Sequence, residues 1–130
     1  MRVRESAFLA ACCLVVSIAF VLAQSKSEKE KKNDLTFTSD VQPIVKKYCL
    51  PCHLAENENP SRLSLDTYET LTEGGDHGNT VVAGKPEKSN LYLKLLPNPP
   101  FGKQMARNKK RLSEEELKIV HDWIEQGAKK

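Results

Sequence analysis

Cys49-Leu50-Pro51-Cys52-His53 is the stretch on which the reading of the chain turns. Residues three and four apart on a helical turn share a face. That spacing puts two thiols side by side, with an imidazole next to the second. C-x-x-C-H is the attachment pattern of a c-type haem. Each thiol can form a thioether to a haem vinyl group, and His53 can take the proximal position on the iron. Three other uses of the residues fit less well. A thioredoxin-type dithiol needs a βαβ setting, and no such pattern is visible. A zinc site needs a second ligand pair; no cysteine follows Cys52, and His77 and His121 are far apart in sequence. A disulfide across two intervening residues would consume the only two thiols outside the N-terminal segment.

The first residues are consistent with that reading. Arg2 and Arg4 precede an apolar run from Ala7 to Ala23, and Val21-Leu22-Ala23 stands before Gln24. A basic start, an apolar run and small residues at its end make a secretory signal peptide, with cleavage expected after Ala23. The run has the length of a short membrane span, so retention as an N-terminal anchor is the alternative. Leu9-Ala10-Ala11-Cys12 also resembles a lipoprotein processing box, though the apolar run lies mostly beyond Cys12. Each version delivers the domain outside the cytoplasm, to the periplasm or the outer face of the cytoplasmic membrane. Gln24 to Asp34 is charged, without apolar residues, and reads as a solvated linker. The domain is expected over 35–130.

The chain has 130 residues, 39% of them hydrophobic and 6% aromatic, with a net charge of +3. This is one small domain with a thin core of its own, for which a large flat apolar cofactor would offset the limited burial. The charge is too mild to indicate nucleic acid.

Helical periodicity runs from Phe37 through Val41 and Ile44 to Tyr48, with Ser39 as the expected cap and Gln42 closing a capping box. Pro43 falls early in this helix, where its missing N–H does little harm. The helix leads directly into Cys49. A polar loop follows from Leu54 to Ser61. Asp66 is placed to cap a brief helix through Leu71, after which Gly74, Gly75 and Gly78 mark turns. His77, among these glycines, reads as a solvated loop residue. Val81-Val82-Ala83 is expected to be extended. Lys85-Pro86 opens an expected helix over 87–96, with Leu91, Leu95 and Tyr92 turned inward; Pro97, Pro99 and Pro100 stop it. The strongest helix is Ser113 to Gln126. Ser113 caps it, Glu116 completes a capping box, Glu114 and Glu115 complement its dipole, and Gly127 ends it. Its buried stripe is Leu117, Val120, Trp123 and Ile124.

Met105 lies in an aperiodic basic loop, Phe101 to Arg111, and is the only methionine besides the initiator. A thioether opposite an imidazole favours ferrous iron and raises the reduction potential, so Met105 is the expected distal ligand. Packing into a core gap is the other use of a methionine. His121, one turn beyond Leu117, reads as partly exposed surface and is the runner-up for the sixth position.

The order of these pieces resembles the single-haem cytochrome c domains of the planctomycete cytochrome c type. The pieces are Phe37…Val41-Gln42-Pro43-Ile44, the pentapeptide, Leu63-Ser64-Leu65-Asp66, Gly74-Gly75 and Val82-Ala83-Gly84-Lys85-Pro86 with Ser89. They continue with Met105, Leu112-Ser113-Glu114-Glu115-Glu116 and Trp123-Ile124-Glu125-Gln126-Gly127-Ala128. The resemblance implies a small all-α fold around one covalent haem c. Cys49 and Cys52 would carry the thioethers, and His53 and Met105 the iron. Where that family has Pro after the distal methionine, this chain has Ala106 and Arg107.

A six-coordinate His/Met haem has no open position for substrate, so the expected role is electron transfer between redox proteins, without enzymatic activity. Lys103, Arg107, Lys109, Lys110 and Arg111 surround Met105 with no acid between them; they would dock an acidic-faced redox partner and speed encounter. The alternatives are a five-coordinate haem c sensor or peroxidase-like domain, and a haem subunit of a periplasmic dehydrogenase.

Overall fold

The computed structural model divides into two units, Met1–Lys32 and Asn33–Lys130. The residues described are 34–56, 61–107 and 110–130, all of them in the second unit. The expected signal segment lies outside the described residues, as does the expected linker except for Asp34. Among the described residues the regular structure is helical, and the only β pairing is an isolated bridge between Gly75 and Gly78. This agrees with the expected all-α class. No helix among them is long and apolar enough to cross a membrane.

A π-helical turn, Phe37–Val41, runs into helix α1, Gln42–Tyr48. The cap is Thr36 rather than Ser39. Its hydroxyl accepts from Ser39 N at 3.2 Å, while the Asp40 carboxylate accepts from Thr36 N at 2.8 Å. The cap is displaced upstream because Phe37 N donates to Lys129 O, fixing the start of the helix against the C-terminus. Gln42 instead reaches across the fold to Asp66 O. The buried stripe of this segment is Phe37, Val41, Ile44, Val45 and Tyr48.

Helix α2, Tyr68–Glu73, is capped by Thr67, which forms a capping box with Thr70. Asp66 accepts the Thr70 hydroxyl from one residue further out, so the helix starts later than expected. The expected helix over 87–96 is broken. Pro86–Lys88 is a 3₁₀ turn, and helix α3 is only Asn90–Leu93. The break is Ser89, which is fully buried. Its hydroxyl accepts from Val82 N and donates to Lys85 O, both at 2.9 Å. A side chain that satisfies nearby backbone groups competes with the helical ladder.

Helix α4, Glu114–Glu125, has the expected Ser113–Glu116 capping box. It ends in a Schellman pattern: Ala128 N donates to Trp123 O and Gly127 N to Ile124 O. Gly127 has φ +100°, a conformation that costs glycine nothing. Val120, Trp123 and Ile124 are buried, whereas Leu117 is only half-buried. Trp123 sits under Phe37, centroids 6.1 Å apart, and Phe37 in turn meets Tyr68 at 5.8 Å. Tilted aromatic pairs at such distances add to the burial energy. Trp123 Nε1 donates to Lys129 O at 2.7 Å and Tyr68 OH to Ala128 O at 2.9 Å. The two ends of the described chain are thereby tied to one core.

Candidate functional site

A cleft of about 600 Å³ opens beside the end of α1, within the range of cofactor sites. Cys49, Cys52, His53 and Met105 all line it. Its walls include Leu65, Leu91, Leu95 and Phe101. The four predicted residues, separated by 56 positions at the extremes, are therefore brought to one cavity.

The pentapeptide continues α1 as a turn. Cys49 N donates to Val45 O at 2.8 Å, and His53 N donates to Cys49 O at 3.2 Å. The second bond spans four residues and returns His53 above Cys49, as the spacing predicts. Neither Cys49 nor Cys52 forms a disulfide. Cys52 is exposed and Cys49 half-buried.

His53 has a fixed orientation. Its Nδ1 lies 3.1 Å from Leu63 O. A carbonyl only accepts, so Nδ1 carries the hydrogen, and in the neutral ring the lone pair is left at Nε2. This carbonyl–imidazole arrangement sets the tautomer of a metal-binding histidine. The return bond, Leu65 N to His53 O at 2.9 Å, makes Leu63–Leu65 a brace alongside the ring. In the sequence Leu63 stands out only within the Leu63-Ser64-Leu65-Asp66 piece of the family resemblance. Its role is carried by a main-chain carbonyl, which any residue would supply, so no side-chain signal marks it.

Met105 is held by the part of the cleft lining that follows α3. Met105 N donates to Lys94 O at 2.8 Å and Gln104 Nε2 to Leu95 O at 2.7 Å. Arg111 Nη1 donates to Gln104 O at 3.2 Å and to Ala106 O at 3.1 Å. Ala106 is buried. Where the resembled family has proline after the methionine, this chain fixes the segment with hydrogen bonds from both sides.

His77 is exposed, as expected, but it also lines the cleft. Its ring stacks on Phe101 with centroids 4.0 Å apart and planes at 27°. The loop bearing it is packed tightly: a Cβ on Gly75 would come within 2.6 Å of Ser61 O. His121, the runner-up for the sixth position, is not among the residues that line this cleft. It faces a separate shallow cleft with Tyr92, Leu117 and Asp122, its Nδ1 3.0 Å from the Asp122 carboxylate.

The rim is cationic. Lys94, Lys103 and Arg107 line the cleft, and the carboxylate of Asp76, also lining it, is paired with Arg62. Burial, and then the nearby Arg107 charge, hold the Lys94 ammonium below its ordinary pKa. Of the expected docking residues, Lys103, Arg107, Lys110 and Arg111 are exposed; Lys109 lies outside the described residues.

The cavity fits a haem in the chemistry of its donors. It has two cysteines outside any disulfide for thioethers, an imidazole presenting Nε2, a thioether sulfur and an apolar wall. Residues 49–100 match the family planctomycete cytochrome C, in agreement with the resemblance read from the residues. The match opens on Cys49 and contains the whole pentapeptide; Met105 and α4 lie beyond it. That family implies haem c. No curated protein and no solved structure matches the chain.

Proposed function

We propose that this cytochrome c-like domain would carry one haem on Cys49 and Cys52, with His53 and Met105 as the residues that would hold the iron, and that it relays single electrons between larger redox proteins outside the cytoplasm. The observation that carries the reading is the gathering of four donors on one cleft, with His53 already set to offer Nε2. Bound haem supplies reversible one-electron chemistry at iron. The chain's part would be to attach the group, offer His53 and Met105 to its iron, exclude water with Leu65, Leu91 and Leu95, and hold Met105 in place. No residue at the cleft is assigned an acid, base or nucleophile role, so the protein is read as a carrier rather than an enzyme.

The five-coordinate alternative requires a loose distal segment. The hydrogen bonds from Met105 N, Gln104 and Arg111 favour the six-coordinate reading. Lys103 and Arg107, exposed on the cleft rim, and the exposed Lys110 and Arg111 suit an acidic-faced partner. Charged surfaces of this kind steer encounter and are screened by salt. Raising ionic strength should slow reduction by such a partner several-fold; an unchanged rate would remove the docking proposal.

The deciding experiment is a pyridine haemochrome spectrum on protein exported by cells with haem c maturation machinery. A spectrum of haem joined by two thioethers is expected. Colourless protein with two reactive thiols would refute the reading.

A further inference from the structure

The segment from Phe101 to Met105 is fastened at several points to one residue outside it, Lys94. Lys94 O accepts from Met105 N at 2.8 Å. From the same residue, Nζ donates to Lys103 O at 2.8 Å and to Phe101 O. The ammonium also stands 4.5 Å from the centroid of the Phe101 ring. Gly102, at the centre of this wrap, has φ +55°, and a Cβ there would touch Nζ at 3.5 Å. The loop is folded around a cation. A lysine has three N–H donors, and two are spent on carbonyls of the loop. Among the described residues, none of its hydrogen bonds goes to a carboxylate.

This use of a lysine differs from that of its neighbours on the rim. The side chains of Lys103 and Arg107 are exposed and make no hydrogen bond among the described residues; they are free to face a partner. Lys94 is half-buried, at the C-terminal end of α3, where the chain turns toward the proline-rich stretch. Charge-assisted bonds to carbonyls are stronger than neutral ones. An uncharged side chain of equal length would leave the Phe101 and Lys103 carbonyls without these donors.

We infer that Lys94 is a positioning residue for the distal ligand: its ammonium gathers the carbonyls of Phe101 and Lys103, and this sets the sulfur of Met105 toward the cleft. The inference rests on the proposed Met105 ligation. It replaces, with a side-chain cation, the stiffness that proline would give. The ring of Phe101, held between the His77 stack and the Lys94 ammonium, extends the same fixation to the mouth of the cleft.

The test uses exported holoprotein and three variants: Lys94→Met, Lys94→Gln and Lys103→Met. The readouts are the weak long-wavelength band of a thioether-ligated ferric haem and the affinity for added imidazole, which competes with Met105. Lys94→Met should weaken the band and bind imidazole roughly tenfold or more tightly. Lys94→Gln, whose amide keeps two N–H donors on a shorter, uncharged side chain, should fall between, and it serves should Lys94→Met yield no holoprotein. Lys103→Met removes an equal charge from the same rim and should stay within about twofold of the wild type. Imidazole affinities of Lys94→Met, or of Lys94→Gln if it alone is obtained, equal to that of a wild type showing the band would overturn the inference and leave Met105 ligation standing. A wild type without the band would overturn Met105 ligation itself, and this inference with it. Equal effects of the Lys94 and Lys103 changes would also overturn it, since charge alone would then be responsible.

Discussion

Glu116 offers a sharp test of how α4 supports the turn that carries Cys49, Cys52 and His53. One carboxylate serves two elements. Its Oε2 accepts from Ser113 N at 2.8 Å, from the Ser113 hydroxyl at 3.1 Å and from Tyr48 OH at 2.8 Å. Its Oε1 accepts from Lys47 Nζ at 2.7 Å. Lys47 and Tyr48 are the last residues of α1, directly before Cys49. The Lys47 bond first, and then the Ser113 backbone, hold the Glu116 carboxyl at about 2, down from 4.5. At ~1.4 kcal/mol per pH unit, that drop sets a ceiling of ~3 kcal/mol on its stabilisation at neutral pH. Glu116 is 21% exposed and its partner Lys47 62% exposed, so solvent screening lowers the value; we expect ~1–2 kcal/mol.

The sign follows from linkage. The folded-state pKa is depressed, so the unfolded chain takes up the proton first as pH falls. The contribution is present in full above about pH 5 and fades as pH drops toward 2. Glu116→Gln should therefore lower stability by ~1–2 kcal/mol at pH 7, with a loss of roughly 4–8 °C in melting temperature per kcal/mol for a domain of this size. The difference from wild type should shrink to near zero by pH 2. Denaturant unfolding of both holoproteins, followed by far-ultraviolet circular dichroism from pH 7 to 2, measures it. Other carboxylates titrate in both proteins and cancel in the difference. A difference that stayed constant across this range would refute the reasoning, because it would assign the effect to shape rather than charge.

Ser89→Ala should cost ~1–3 kcal/mol, because Val82 N and Lys85 O lose a buried partner; chemical denaturation checks it, and a loss under ~0.5 would count against it. Trp123→Ala should cost ~3–5 kcal/mol, since the side chain is fully buried beneath Phe37, with the same assay. Met105→Ala should lower the reduction potential and admit carbon monoxide to the ferrous protein; an unchanged potential in voltammetry would withdraw the distal assignment. Cys52→Ala should leave one thioether bond, seen as a shifted haemochrome band and a lower holoprotein yield.

The parts legible in the sequence are those decided within a few residues. The Ser113–Glu116 capping box, the Gly127 stop and the Val120–Trp123–Ile124 stripe stand where the local pattern puts them. Local reasoning failed where distant backbone competes. Ser39 loses the cap of the first helical segment to Thr36 because Lys129 O claims Phe37 N. The expected helix over 87–96 breaks because a buried Ser89 bonds back to Val82 and Lys85. His121 is partly exposed, as its local pattern reads, and the face of α4 that carries it borders the separate cleft.

The same division holds at the site. The pentapeptide by itself determined which thiols and which imidazole lie together, since four-residue helical geometry allows little else. Only the tertiary structure decided that Leu63 O would fix the His53 ring, that Met105 would reach the same cavity, and that Lys94 would hold it there. Those decisions rest on main-chain carbonyls and long-range packing. Every residue type carries a carbonyl, so a sequence leaves no mark of which one is used.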